Sequence, residues 1–263
     1  MGGIVQQSGI STRAAQKLSV VVITFNEQEN LSALLPAIPE GAEIVLLDSG
    51  STDRTVDIAT THGARVSRRD FDNFAAQKNH AAGLASRPWT LMLDADERPD
   101  EALWAEILSV VEANSDVAGE LPRKLIFCGR KMRFGRTTDL VVRLFKTGTF
   151  KYQNEIHEVA GTNSRRVRLR GTLWHYSYKN LEDYFQKFNR YTTLVANDRR
   201  EKAHRLPAKW ELAMRLPVDF VTRYFLRLGC LDGYEGFLWA ALGSFYGFIK
   251  YAKAIEPRAG ASR

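Results

Sequence analysis

Asp94 and Asp96 stand one residue apart, directly after the apolar run Trp89-Thr90-Leu91-Met92-Leu93. Such a run reads as a strand buried on both faces. In a parallel sheet, ligands sit in the crevice beyond the carboxyl ends of the strands. Two carboxylates emerging there can hold a hard divalent cation, with one on the metal and the other on metal or sugar. Mg²⁺ takes one or two carboxylates and leaves its other positions to water and substrate phosphates. The pattern therefore points to a nucleoside-diphosphate ligand with Mg²⁺ or Mn²⁺ as cofactor. The structural alternative is a polar strand-to-helix turn, with a helix starting soon after Pro99.

Further polar groups are expected at the same crevice. Thr24, Asn26 and Glu27 close an apolar β-branched stretch that begins at Leu18; Asn26 can also cap the helix that follows. Asp48 ends the run Ile44-Val45-Leu46-Leu47 and is placed to accept hydrogen bonds from a uracil ring or a ribose. A plain turn and helix cap explains Gly50 to Asp53, with Ser51 or Thr52 capping. It explains Asp48 less well, since an acid after three apolar residues needs a partner. Lys78 sits on a helical stretch before the Asp94 strand and could neutralise a diphosphate; a solvated surface charge is the alternative.

The elements that must hold these groups alternate strand and helix over the first hundred residues. Apolar strands are expected at 18–24, 43–48, 64–67 and 89–93, with helices after 26, after 52 and over 72–85. This order implies an α/β fold with a parallel, doubly wound sheet. Strand signals with Gly-containing turns follow at 123–127, 140–145 and 165–174. From Leu181 the pattern is helical, with Leu181, Tyr184, Phe185, Phe188, Tyr191 and Val195 on one face. Further helices are expected over about 207–228 and 231–253.

The 263 residues allow one large α/β domain with an appendage. Two cysteines, Cys128 and Cys230, give no disulfide framework. Residues 1–17 lack an apolar signal-peptide core and are expected to be a flexible tail. The net charge is +7 and uneven: residues 187–227 hold ten Lys/Arg against four Asp/Glu. A second run, Arg123 to Arg136, holds six Lys/Arg and no acid. Such patches suit phosphate or an anionic membrane surface. No nucleic-acid motif accompanies them, so nucleic acid is not an expected partner.

The motifs Val21-Val-Ile-Thr-Phe-Asn-Glu27, Leu47-Asp-Ser-Gly-Ser-Thr-Asp53, Gln77-Lys-Asn79 and Leu93-Asp-Ala-Asp-Glu97 occur in order over Leu18 to Pro99. As a set they resemble the nucleotide-binding half of family 2 glycosyltransferases. The resemblance implies a GT-A type, doubly wound, mostly parallel sheet and an inverting transfer from a nucleotide-activated sugar. By that likeness Asp48 contacts the uridine base, Asp96 is the main metal ligand, and Asp94 lies toward ribose or donor sugar. Where many members have two consecutive aspartates, this chain has Asp48-Ser49. The later motifs Asn154-Glu-Ile-His-Glu158, Trp174-His-Tyr-Ser-Tyr178, Tyr224-Phe-Leu-Arg227 and Phe248-Ile-Lys-Tyr-Ala-Lys253 are similar to those of bacterial lipopolysaccharide core glucosyltransferases. Those enzymes add glucose to the inner-core heptose.

An inverting transfer needs a carboxylate to take the acceptor hydroxyl's proton as the sugar is attacked opposite the leaving group. Glu158 is the favoured base and Glu155 the alternative; either could instead pair with nearby arginines. His157 and His175 could each complete a metal shell, or could be hydrogen-bonded core residues. The expected organisation is a GT-A domain over 18–178, split into a nucleotide-sugar half (18–99) and an acceptor half (100–178). A helical C-terminal extension follows over 179–263.

Phe237 to Ile249 is uncharged over thirteen residues, too short to span a bilayer. With the basic residues around it, it suits a membrane interface. The expected partners are a UDP-sugar donor, a lipid-linked saccharide acceptor and an anionic membrane surface. The expected location is cytoplasmic, peripheral on the inner membrane. A polyprenyl-phosphate sugar synthase and a non-catalytic sugar-nucleotide-binding or scaffolding protein are the alternatives. A nucleotidyltransferase would want a Gly-rich phosphate loop near the N-terminus, and none is present.

Overall fold

The computed structural model describes residues 12–153, 159–178, 180–202 and 206–256. The first hundred residues build β1 (Leu18–Thr24), α1 (Gln28–Leu34), β2 (Glu43–Asp48), α2 (Thr55–Thr61), β3 (Arg65–Arg68), α3 (Phe74–Gly83), β4 (Trp89–Asp94) and β5 (Glu97–Pro99). Next come α4 (Glu101–Ala113), β6 (Val117–Phe127), β7 (Arg130–Lys131), β8 (Thr138–Lys146), β9 (Phe150–Gln153), β10 (Val159–Thr162), β11 (Arg165–Arg168) and β12 (Leu173–Tyr178). The helices α5 (Leu181–Glu201), α6 (Lys209–Val221) and α7 (Gly233–Ile255) complete the chain.

Among the described residues, one sheet runs in the order β3-β2-β1-β4-β8-β6-β12-β5, with β7 and β11 both on β6. The β3-β2-β1-β4 block is parallel, as βαβ connections require. β8 then runs antiparallel to β4, and β5 antiparallel to β12. The sheet is thus mixed: the parallel block and the C-terminal helices agree with the α/β GT-A expectation, and antiparallel strands extend it. β5 begins three residues after β4 ends but pairs at the far end of the strand order. This part of the sheet therefore curls back on itself, and the curl sets the candidate site.

The elements form for local reasons. Trp89 through Leu93 are fully buried, so β4 packs on both faces as its continuous apolar run requires. Asn73 caps α3 by accepting from Ala76 N, and Asp100 caps α4 by accepting from Leu103 N, each at 2.8 Å. α4 ends on Asn114 in the left-handed conformation. Two expected caps are corrected. Glu27, not Asn26, precedes α1, and Arg54, not Ser51 or Thr52, precedes α2; neither caps through its side chain. Asn26 has φ +56° and uses its side-chain oxygen on Thr52 N instead.

The chain divides into two compact units: Met1–Arg123 with Asp139–His175, and Lys124–Thr138 with Tyr176–Arg263. This shifts two expected boundaries. Residues 12–17 are not a flexible tail, because Ala14 and Ala15 are fully buried in the first unit's core and Lys17 pairs with Glu112 at 2.7 Å. Residues 1–11 lie outside the described residues. Residues 124–138, expected in the acceptor half, belong with the C-terminal helices. The reason is a shared core: Leu125, Phe127 and Met132 pack with Tyr184 and Phe188. The Asp232 carboxylate also accepts from Arg133 N and Phe134 N at 3.0 and 2.8 Å. On α5 the buried line is Tyr184, Phe188, Thr192 and Ala196, while Leu181, Phe185 and Tyr191 are exposed.

Glu43 ties the amino-terminal ends of the parallel strands. Its carboxylate accepts from Ser19 Oγ on β1, from Ser86 N and Oγ ahead of β4, and from Arg65 on β3. Burial alone would raise its pKa. The donors, led by Ser19 and Ser86, outweigh burial and pull it from 4.5 to about 2. A depressed carboxylate contributes stability that is fully present above its unfolded pKa and is lost as pH falls through its folded one. Glu43→Gln is expected to lower the unfolding free energy at pH 7 by on the order of 1–3 kcal/mol, after allowing for the half-exposed Arg65. The gap from wild type should close between pH 4.5 and 2. Urea denaturation at pH 7 and pH 3 checks both parts; an unchanged gap at pH 3 refutes the assignment.

Candidate active site

The strand register places Thr24 opposite Asp48, and Ile23 opposite Asp94. The carboxyl ends of β2, β1 and β4 therefore lie side by side, each delivering one of the expected residues. The turns after β1 and β2 are laced together. Ser49 N donates to Thr24 O, Asn26 N to Ser51 Oγ, Glu27 N to Thr55 Oγ1, and Gln28 N to Asp53 Oδ2. Asp48 is buried, and its own turn supplies partners: Gly50 N and Ser51 N at 2.9 Å, Ser51 Oγ at 2.5 Å and Thr24 Oγ1 at 3.3 Å. Gly50 at φ +95° lets the backbone wrap round that carboxylate. The acid that the apolar run left without a partner thus organises a loop of backbone N–H groups. Ser49 Oγ accepts from Gln77 of α3 at 3.1 Å, and the Glu27 carboxylate accepts from Asn30 at 2.7 Å.

Asp94 is held by two cations. Lys78 approaches Oδ1 at 2.8 Å and Arg143 of β8 approaches Oδ2 at 2.6 Å. Lys78 is not a solvated surface charge: only 1% of it is exposed, and its ammonium also lies 5.5 Å from the Tyr152 ring centroid. Behind Asp94 stands Glu97, fully buried. Glu97 accepts from Asp94 N at 3.0 Å, from Arg143 at 2.9 Å and from Arg123 of β6 at 3.1 Å. Arg123 also reaches Asp139 at 3.2 Å. Burial alone would raise the Asp94 pKa; Arg143 first, then Lys78, reverse that and hold it well below the usual carboxylate range. Burial alone would likewise depress the Arg143 guanidinium, and Asp94 and Glu97 raise it well above its ordinary value.

Asp96 turns the other way. β5 pairs with β12 so that His175 lies opposite Glu97, and this register brings His175 Nε2 to 3.3 Å from Asp96 Oδ2. Burial would lower the His175 pKa, but the Asp96 carboxylate outweighs it and the net shift is upward. One carboxylate oxygen and one imidazole nitrogen, side by side and partly exposed, fit a divalent cation whose other ligands are water and phosphate. No group of three or more His, Cys, Asp or Glu side chains that could hold a metal ion occurs among the described residues. Asp94 does not join Asp96, since both its oxygens face cations. Glu155, His157 and Glu158 lie outside the described residues.

Sequence reasoning missed Glu97, Arg123, Arg143 and Tyr152. One signal was available: Arg143 interrupts the β-branched and apolar run Val141 to Phe145, and a buried guanidinium needs a counter-ion.

A family model described as "Glycosyl transferase family 2" matches residues 19–172. The chain is similar to the lipopolysaccharide core biosynthesis glycosyltransferase LpsC of Rhizobium meliloti, with 30% identity over 92% of this chain and 93% of that protein. It is also similar to an uncharacterized glycosyltransferase of Rickettsia typhi, with 25% identity over 92% of this chain and 87% of that protein. Among solved structures it resembles S. aureus TarS 1–349 in complex with UDP-GlcNAc, at 15% identity over 89% of this chain and 81% of that one, with a TM-score of 0.49.

Removing one partner of a buried ion pair leaves an uncompensated charge and costs about 3–5 kcal/mol. Arg143→Met is expected to lower stability by about that amount, because it takes one buried cation from Asp94 and Glu97 together, leaving them Lys78 and Arg123. Arg143→Met combined with Asp94→Asn should recover part of the loss. Chemical denaturation of the single and double variants measures this, and simple additivity would show that the two residues are not coupled.

Proposed function

The chain belongs to glycosyltransferase family 2, and on that basis we propose that it moves a hexose from a UDP-sugar to a lipid-linked saccharide of the bacterial envelope. The proposed sugar is glucose and the proposed acceptor is the lipopolysaccharide inner core. Support for the acceptor class is the likeness to LpsC along nearly the whole of both chains. Support for the donor is the row of Thr24, Asp48 and Asp94 at three adjacent strand ends, with Asp96 and His175 beyond them.

In this reading Asp48 and Ser49 present the nucleotide loop, whose N–H groups the Asp48 carboxylate has already ordered. Thr24, Asn26 and Glu27 form the opposite wall. Asp94, fixed by Lys78 and Arg143, faces the ribose or donor sugar, and Lys78 serves the donor through its hold on that carboxylate. Asp96 and His175 would hold Mg²⁺ or Mn²⁺, which when bound offsets charge on the leaving diphosphate. Glu158 takes the proton of the acceptor hydroxyl. That oxygen forms a bond to the anomeric carbon from the face opposite the leaving group. The bond from the anomeric carbon to the diphosphate oxygen breaks, UDP leaves with the electron pair, and the configuration inverts. Glu155 is the alternative base, and His157 the alternative metal ligand. The lipid-linked acceptor places this work at the cytoplasmic face of the inner membrane. No helix among the described residues is long and apolar enough to cross it.

Release of UDP from a panel of UDP-sugars, with and without extracted core lipid, tests the reaction and identifies the donor. Asp96→Ala is expected to lower transfer by about two orders of magnitude or more while leaving the unfolding midpoint within a few degrees of wild type. Full turnover of the variant, or of wild type in EDTA, would refute a metal role. Glu158→Gln keeps shape and loses basicity, so it should cut transfer by about 10²–10⁴ and leave UDP-sugar affinity unchanged. An active Glu158→Gln beside an inactive Glu155→Gln exchanges the two roles.

A further inference from the structure

Much of the uncharged run Phe237 to Ile249 is occupied with packing, although Phe237 and Phe245 remain partly exposed. Trp239, Leu242 and Tyr246 face the core formed by Phe127, Tyr184 and Phe188. A different surface of the second unit is left unpartnered. Only Leu212 of α6 is buried among its residues, since α6 lies against the small-residue face of α7. A Cβ at Gly247 would come within 3.1 Å of the Asp219 carboxylate.

Away from α7, residues Trp210, Met214, Val218, Val221 and Phe225 recur every three or four positions and so form one stripe along the helical chain. They are 45–69% exposed, and Leu226 beside them is 73% exposed. Large contiguous apolar patches are rare on the solvent face of a soluble monomer and mark interaction sites.

Charge identifies the occupant. The stripe's own segment, residues 209–227, holds four Lys/Arg against two Asp/Glu, and exposed Lys209 and Arg227 stand at the two ends of the stripe. Aromatic and aliphatic side chains flanked by exposed basic residues fit the boundary between lipid headgroups and acyl chains, where the rings enter and the cations meet anionic phosphate. We propose that the face formed by Trp210, Met214, Val218, Val221, Phe225 and Leu226 docks in the plane of an anionic lipid surface, without crossing it. This deepens the proposed function by naming the surface that meets the lipid-linked acceptor, and it rests on that reading only for its purpose.

Flotation of the full chain with phosphatidylglycerol-containing vesicles and with pure phosphatidylcholine vesicles tests it. Wild type is expected to float at least about tenfold more with the anionic vesicles, and high salt should reduce that binding. The exposed double variant M214D/V218D should lose at least about tenfold in flotation, while its thermal midpoint and UDP affinity stay at wild-type values. Absence of flotation, equal flotation with both vesicle types, or flotation unchanged by the double variant overturns the proposal. A wild-type dimer in vesicle-free ultracentrifugation that the variant converts to monomer also overturns it, since a second copy would then cover the face. Transfer assayed on delipidated, water-soluble core saccharide separates this proposal from the functional one. Docking without sugar transfer to any acceptor sinks the function alone, and transfer without docking sinks the surface alone.

Discussion

A buried carboxylate stays ionised only if cations or hydrogen-bond donors meet it, and Asp94 is met by a cation at each oxygen. That requirement reaches far along the chain. Lys78 must come from α3, so α3 packs against the sheet with a lysine on its buried side. Arg143 must come from β8, so β8 lies beside β4 with its fourth-from-last residue near the strand end. Arg143 is itself too costly to bury against one carboxylate, and Glu97 takes its remaining charge. Glu97 in turn needs Arg123 from β6. Three elements, α3, β8 and β6, are thus tied to the two-residue turn between β4 and β5, and the curl of the sheet from β4 to β5 is the backbone geometry that permits it. Because the pairs are buried and hydrogen-bonded, water screens them far less than it would a surface bridge.

This cluster separates the roles of two aspartates that look equivalent. Asp94 is neutralised by lysine and arginine, so its carboxylate is fixed in orientation. Asp96, two residues on, is directed toward β12 and meets an imidazole. An imidazole can exchange a proton for a metal ion, whereas a guanidinium cannot. The pair thus offers one anchored carboxylate and one adaptable site. At the opposite end of the same strands, Glu43 performs a purely structural version of this service, gathering hydroxyl, amide and guanidinium donors from three neighbouring segments.

The legible parts of this design are those with local causes. β1, β2 and β4 are continuous apolar runs, and helices between them leave a parallel arrangement as the main solution. Strand ends then locate Thr24, Asp48 and Asp94 without further information. The illegible parts depend on pairing across the chain. Lys78 reads as a surface residue because its neighbours Gln77 and Asn79 are polar, yet Gln77 is fully buried too, bonded to Ser49 and to the backbone at Arg69 and Asp70. Glu97 lies in what reads as a polar strand-to-helix turn, and only the return of β5 to β12 puts it in the interior. Asn26 has the composition of a cap, but its left-handed backbone and its bond to Thr52 make it a latch between two loops. Residues 124–138 read as part of the acceptor half because they interrupt a strand series; aromatic packing against Tyr184 and Phe188 gives them to the other unit.

In the second unit the same apolar composition serves two opposite ends, and glycine decides which. Gly236 sits where a Cβ would lie 2.0 Å from the Gly229 carbonyl oxygen, and Gly229 where one would lie 2.7 Å from the Arg223 carbonyl oxygen. Side chains at these points would force the start of α7 away from the turn that follows α6. With glycine there, backbones approach closely and α6 is held by small residues, not by an interleaved layer of its own large ones. Phe220 packs on Phe237, but Trp210, Met214, Val218 and Val221 are consequently not consumed in the fold. In α7 the large residues at 239, 242, 246 and 249 are consumed, packing on the core of Phe127 and Tyr184. An uncharged run is therefore a poor guide to an interaction surface here. The better guide is a helix whose buried contacts are made by its neighbour's glycines, because that arrangement leaves its own apolar residues facing outward.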